Sequence, residues 1–247
     1  MRCAAGGRLR GTGKTEQQTE ALGELAKHVL DCSARAWALD ALDSSTSLAA
    51  RDARRFIALN ERVSELRAEA IRQIGIYDSG ASRDLLLAAL GDYASLVRGH
   101  AIVSLARSDT AAVQATALAM ITTDPSFYAQ EHALSVYDPS IAPQGTALLI
   151  DRISHGGSLG VRTTAAQRLL RKPDTAGLDA IESLTAVKEP RAARILALRL
   201  LSEWPDKSRA TSVAERYIDD GDPLFASDAV RTLARAGGEV GKARLRR

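Results

Sequence analysis

The chain has 247 residues, 45% apolar and 4% aromatic, with a net charge of +3. Two cysteines, Cys3 and Cys32, make no disulfide framework or zinc cluster, and no apolar run approaches the roughly 20 residues needed to cross a bilayer. The positive charge sits at the ends, on Arg2, Arg8, Arg10 and Lys14 and on Arg235, Lys242, Arg244, Arg246 and Arg247, so the body between is mildly acidic, a poor match to a phosphate-tracking groove.

In chain order, residues 1–15 read as a basic, flexible leader. Gly11-Thr12-Gly13-Lys14-Thr15 resembles the end of a phosphate-binding loop, but the glycine required five residues before Gly13 is Arg8, and no apolar strand precedes it. The leader also lacks the apolar core of a signal peptide, which makes a soluble, cytoplasmic protein the default expectation. Cys32 reads as a buried thiol, consistent with a reducing compartment.

From residue 16 to 236 two kinds of apolar segment alternate. The first kind is a helix-compatible run: Ala21 to Leu30, Phe56 to Val63, Leu85 to Leu90, Val113 to Met120, Ala147 to Ile153, Leu178 to Leu184, Val213 to Ile218. Each is followed by a nine-residue block: Ala34 to Leu42, Leu66 to Ile74, Val97 to Leu105, Ala129 to Tyr137, Val161 to Leu169, Ala193 to Leu201, Phe225 to Leu233. The fifth block position is alanine every time (Ala38, Ala70, Ala101, Ala133, Ala165, Ala197, Ala229), at intervals of 31 or 32 residues. Self-similarity at a fixed period is the mark of a repeat architecture.

Positions 1, 5, 6 and 9 of each block share one helical face and hold apolar or small residues throughout. All seven prolines fall outside the blocks, and of 18 glycines only Gly99 lies inside one, as helices separated by turns require. Each repeat therefore reads as two antiparallel helices, with the small residue at position 5 permitting close approach. One such pair cannot bury both faces, so neighbours must stack. The expectation is one elongated all-α domain over 16–236, with a basic tail over 237–247.

Position 2 reads Arg35, Arg67, Arg98, Gln130, Arg162, Arg194, Ala226, which gives Val97-Arg98-Gly99-His100-Ala101 and Val161-Arg162-Thr163-Thr164-Ala165. With turn signals at Asp124-Pro125, Glu189-Pro190 and Asp222-Pro223, the chain resembles HEAT repeats. The resemblance implies a right-handed α-solenoid, a superhelix of about seven two-helix repeats of 31–32 residues. It leaves function open, because such arrays serve as scaffolds, adaptors, lyases, a few enzymes and appended domains.

The arginine column could be a basic ladder for anions. Position 2 lies at about 100° around the helix, between position 9 at about 80° and position 6 at about 140°, hence inside the packed stripe. These guanidiniums are expected to pair with acids and carbonyls of neighbouring turns.

Positions 3, 4 and 7 form the exposed rows, and Trp37, Glu69, Arg72, His100, His132, Arg199 and Arg231 are the candidate protein contacts. Trp37 and Trp204 are both possible anchors, tryptophan being enriched at interface hot spots. Glu69, His100, Glu131 and His132 could suggest a metal. Backbones of neighbouring repeats are about 10 Å apart, whereas metal donors sit about 2 Å from the ion. Iron hydroxylases of this repeat type use paired His-Glu dipeptides; here Glu131-His132 has the reverse order and no second copy. No metal, cofactor or catalytic set is assigned.

The reading is a non-catalytic protein-binding scaffold or adaptor. The alternatives are a helical-repeat region of a larger enzyme such as a metallopeptidase, argued from the uncapped last block and allowing end-to-end association, and a HEAT-like DNA-binding or DNA glycosylase module. The partner expected is another protein, with nucleic acid touched at most weakly through the basic ends.

Overall fold

A computed structural model describes residues 14–141, 144–171 and 174–238. Among these residues the chain is all helical, with fourteen helices and no strand. It divides into two compact units, before and after the Val136–Tyr137 junction. The Gly11–Gly13 part of the phosphate-loop pattern and residues 239–247 of the tail lie outside the described residues.

The first unit contains four helix pairs: α1 (Glu16–His28) with α2 (Cys32–Ala41), α3 (Leu48–Asn60) with α4 (Ser64–Tyr77), α5 (Arg83–Ala89) with α6 (Ser95–Ser108), and α7 (Gln114–Thr123) with α8 (Phe127–Val136). Along the stack α1 packs on α3, α4 on α6 and α6 on α8. The second unit contains three pairs: α9 (Gly145–His155) with α10 (Leu159–Leu169), α11 (Thr175–Ser183) with α12 (Arg191–Glu203), and α13 (Lys207–Arg216) with α14 (Pro223–Ala236). Here α9 packs on α11, α10 on α12 and α12 on α14. The seven blocks fall on the even-numbered helices, and all seven position-5 alanines are completely buried.

The helices start where short polar side chains accept from orphan N–H groups. Thr15 closes a capping box with Gln18, and Asp31, Ser47, Ser158, Asp174, Asp206 and Asp222 cap α2, α3, α10, α11, α13 and α14. Thr15 is thus a helix cap, and Lys14 Nζ donates to the Ala41 carbonyl at the end of α2.

Helix α3 begins at Leu48, eight residues before the apolar run that announced it. Its buried face is Ala50, Ala53, Arg54 and Ile57, and a completely buried arginine breaks the apolar signal. Arg54 is held by the Leu42 and Ser45 carbonyls, the Gln73 amide oxygen and the face of Tyr77. Cys32 also departs from expectation: it is half-buried, not fully buried, in the first turn of α2.

The arginine column is structural, as its angle predicted. Arg35 donates to the Val29 and Leu30 carbonyls of its own turn and, through a two-pronged fork, to Glu61 of the next. Arg67 does the same with the Glu61 and Arg62 carbonyls and Asp92, and Arg98 with the Asp92 and Tyr93 carbonyls and Asp124. In the second unit Arg162 joins the Ile153 carbonyl to Glu189, and Arg194 the Thr185 carbonyl to Asp220. Gln130, lacking the fork, donates to the Asp124 carbonyl of its own turn.

A second polar row, at position 8, joins neighbouring block helices. Gln73 Nε2 donates to the Leu39 carbonyl, Ser104 Oγ to Ile71 and Thr232 Oγ1 to Leu198. Each accepting residue is position 6 of the preceding block, so buried side chains tie α4, α6 and α14 each to the block helix before it.

Candidate protein-contact surface

In the first unit four of the candidate residues, Glu69, Arg72, His100 and His132, come together on α4, α6 and α8. On α4, Arg72 grips Glu69 through Nε and Nη2 at 2.8 and 2.6 Å, and Gln73 Nε2 donates to the same carboxylate at 2.9 Å. Arg72 also lies 3.5 Å from Asp43 at the end of α2. On α6, His100 faces the Tyr128 hydroxyl of α8 at 3.4 Å. On α8, Tyr128 and His132 stack one turn apart with ring centroids 4.1 Å apart, and His132 Nδ1 lies 2.9 Å from the Tyr128 carbonyl. The two histidine rings meet edge to face at 5.6 Å.

Glycine makes this packing possible. A Cβ at Gly99 would lie 2.9 Å from Tyr128 and 3.1 Å from His132, so the one glycine inside a block sits where α8 presses its aromatic rings against α6. Glu69, Arg72, His100 and His132 are all half-buried, more enclosed than a solvated row. Burial, followed by the neighbouring His132, lowers the His100 pKa; Arg72 acts in the same direction and Glu69 opposes it. The His100 imidazole is therefore neutral at pH 7, able to donate one hydrogen bond and accept another.

Trp37 lies on α2, 39% exposed. Trp204 is 4% exposed at the end of α12 and belongs to the core, which removes it as an anchor. In the second unit the expected exposed row is interrupted: Asp228, at position 4 of α14, is buried, and one of its oxygens accepts from Arg199 of α12 at 3.3 Å and Arg231 of α14 at 2.8 Å. Both arginines remain exposed. Val230, at the stripe's position 6 in the last block, is 37% exposed, because no later block helix covers it among the described residues.

Sequence reasoning missed Tyr128, which lies one residue ahead of its block. One step back turns it to about 260°, between the exposed positions 7 and 4, so a block one residue longer would have included it. The position-8 row was missed as well. It falls at about 340°, beside position 1, but Gln73, Ser104 and Thr232 do not read as core residues.

Chemically, the cluster offers fixed hydrogen-bonding groups and aromatic edges. Among the described residues no group of three His, Cys, Asp or Glu side chains is placed to hold a metal ion, and no helix is long and apolar enough to cross a membrane.

Residues 51–138, covering α3 to α8, match the family HEAT repeats. No curated protein matches the chain. The solved structure of human deoxyhypusine hydroxylase in complex with glycerol is similar at 14% identity and a TM-score of 0.44, covering 90% of this chain and 96% of that one. The match over 51–138 supports a HEAT-repeat family, and the alternation of helix pairs with an alanine at every block centre is consistent with such repeats.

Proposed function

We propose that the chain is a non-catalytic scaffold that binds another protein along the exposed rows of its block helices. The repeat array over 16–236 is the binding module, and the contacts are Trp37, the group of Glu69, Arg72, His100 and His132, and the pair Arg199 and Arg231. The observation that carries this reading is the cluster spanning α4, α6 and α8. Its side chains are held in two sets, Glu69 with Arg72 on α4 and His100 with Tyr128 and His132 on α6 and α8, through hydrogen bonds and ring contacts, so a partner meets a surface whose conformational entropy is already largely lost. Protein is favoured over nucleic acid because Arg35, Arg67, Arg98, Arg162 and Arg194 are engaged by turn carbonyls and acids and supply no row for phosphates.

The test is affinity capture from source-cell extract, comparing the wild type with a His100→Ala, His132→Ala, Arg199→Ala triple variant. A stoichiometric protein captured by the wild type and lost with the triple variant is the expected result. Identical captures would remove these rows as the binding surface.

A further inference from the structure

The two arginines on Asp228 differ from every arginine of the turn ladder. Each ladder arginine has its own acid, whereas Arg199 and Arg231 share one oxygen of one carboxylate. Among the described residues no other carboxylate lies within 4.0 Å of either guanidinium. The pair therefore carries an excess positive charge. Each guanidinium has five N–H donors, and each spends one on Asp228. Their side chains are 55% and 53% exposed while Asp228 is only 10% exposed, so the anchor is buried and the unused donors face outward. Because both reach one oxygen, the two forks lie side by side across the α12–α14 boundary.

The first unit shows the opposite balance at the corresponding rows. There one guanidinium, Arg72, faces two carboxylates, Glu69 and Asp43, and little cationic character remains for a ligand. On α12, Leu196 lies half-buried one turn before Arg199, setting an apolar contact beside the charge.

We infer that Arg199 and Arg231 form a clamp for the carboxylate of an acidic peptide segment laid across α12 and α14, with Asp228 as its buried anchor. Charge complementarity selects the occupant. A carboxylate matches the planar fork in two-pronged geometry, and anchoring by Asp228 reduces the freedom the arginines lose when the ligand arrives. The inference rests on the protein-binding reading and specifies its partner chemistry at this place.

The probe is a display library of random dodecapeptides panned on the full chain, with affinities of retained peptides measured by fluorescence anisotropy. Retained peptides should be enriched in Asp and Glu. An Arg199→Gln, Arg231→Gln, Asp228→Asn variant, which leaves no unpaired buried carboxylate, should bind them about tenfold more weakly or worse, with an unchanged circular dichroism spectrum. Should the triple variant fail to fold, Arg231→Gln alone changes one exposed side chain and should weaken binding in the same direction. Peptides without acidic enrichment, or undiminished binding by the variants, would overturn the clamp. Peptides lost instead to Trp37→Ala or His100→Ala would overturn it while leaving the protein-binding reading standing, and a library yielding no retained peptide would count against both.

Discussion

At Arg98 one side chain does three things: it satisfies the Asp92 and Tyr93 carbonyls, pairs with Asp124, and so joins one repeat's turn to the next. Its side chain is 13% exposed and that of Asp124 is 6% exposed, so removing one partner strands the other in a nearly dry site. Arg98→Ala should lower stability by about 2–3 kcal/mol in urea unfolding. Arg98→Lys should recover only part of this, because an ammonium cannot reproduce the fork. Burial opposes ionisation of Asp124, but Arg98 and the Ser126 N–H outweigh it and hold its pKa below the ordinary value. The stability from this pair is therefore complete above about pH 4 and lost as pH falls through the lowered value. His100 works in a separate window. Its lowered pKa means that the unfolded chain binds the proton more readily, so its contribution is present above about pH 6.5 and fades below. Urea midpoints at about pH 7 and pH 5.5 should fall further for the wild type than for His100→Gln.

At the scale of elements, the packing distances separate two glycines that look alike in sequence. A Cβ at Gly75 would lie 2.2 Å from Ser104 Oγ and 2.8 Å from Ser104 Cα, so α4 and α6 would have to part. At Gly99 the obstacles are ring atoms of Tyr128 and His132 at 2.9 Å or more, which can turn aside. Gly75→Ala should cost about 2 kcal/mol after allowing for the better helix propensity of alanine, whereas Gly99→Ala should stay within about 1 kcal/mol of wild type. Thermal unfolding of both variants checks the order; equal losses would refute the argument. Helix period, block alanines and turn residues were legible because they are local. The start of α3 was not, since the carbonyls that make burial of Arg54 tolerable come from the turn before it. Likewise, Asp228 looked like a surface residue until the two helices supplied its arginines. The His100–His132 contact was half legible: the residues were visible, but their closeness depends on Tyr128 and Gly99.

For the whole molecule, a repeat array distributes stability among neighbours instead of around one centre. Loss of Arg98 should speed amide exchange in α5 to α8 and leave α12 to α14 at wild-type rates in hydrogen-exchange mass spectrometry. Uniform acceleration along the chain would show that the array unfolds as one cooperative body. The ladder also has a polarity. Every arginine finds its acid in the turn 25 to 27 residues further on, while its carbonyl partners are nearby and earlier in sequence. As the chain leaves the ribosome, each guanidinium can dock on its own turn at once but keeps an uncompensated charge until the next repeat has been synthesised. Growth toward the C-terminus thus completes one repeat by beginning another, and a ribosome stalled between them would leave the newest repeat with an open electrostatic valence.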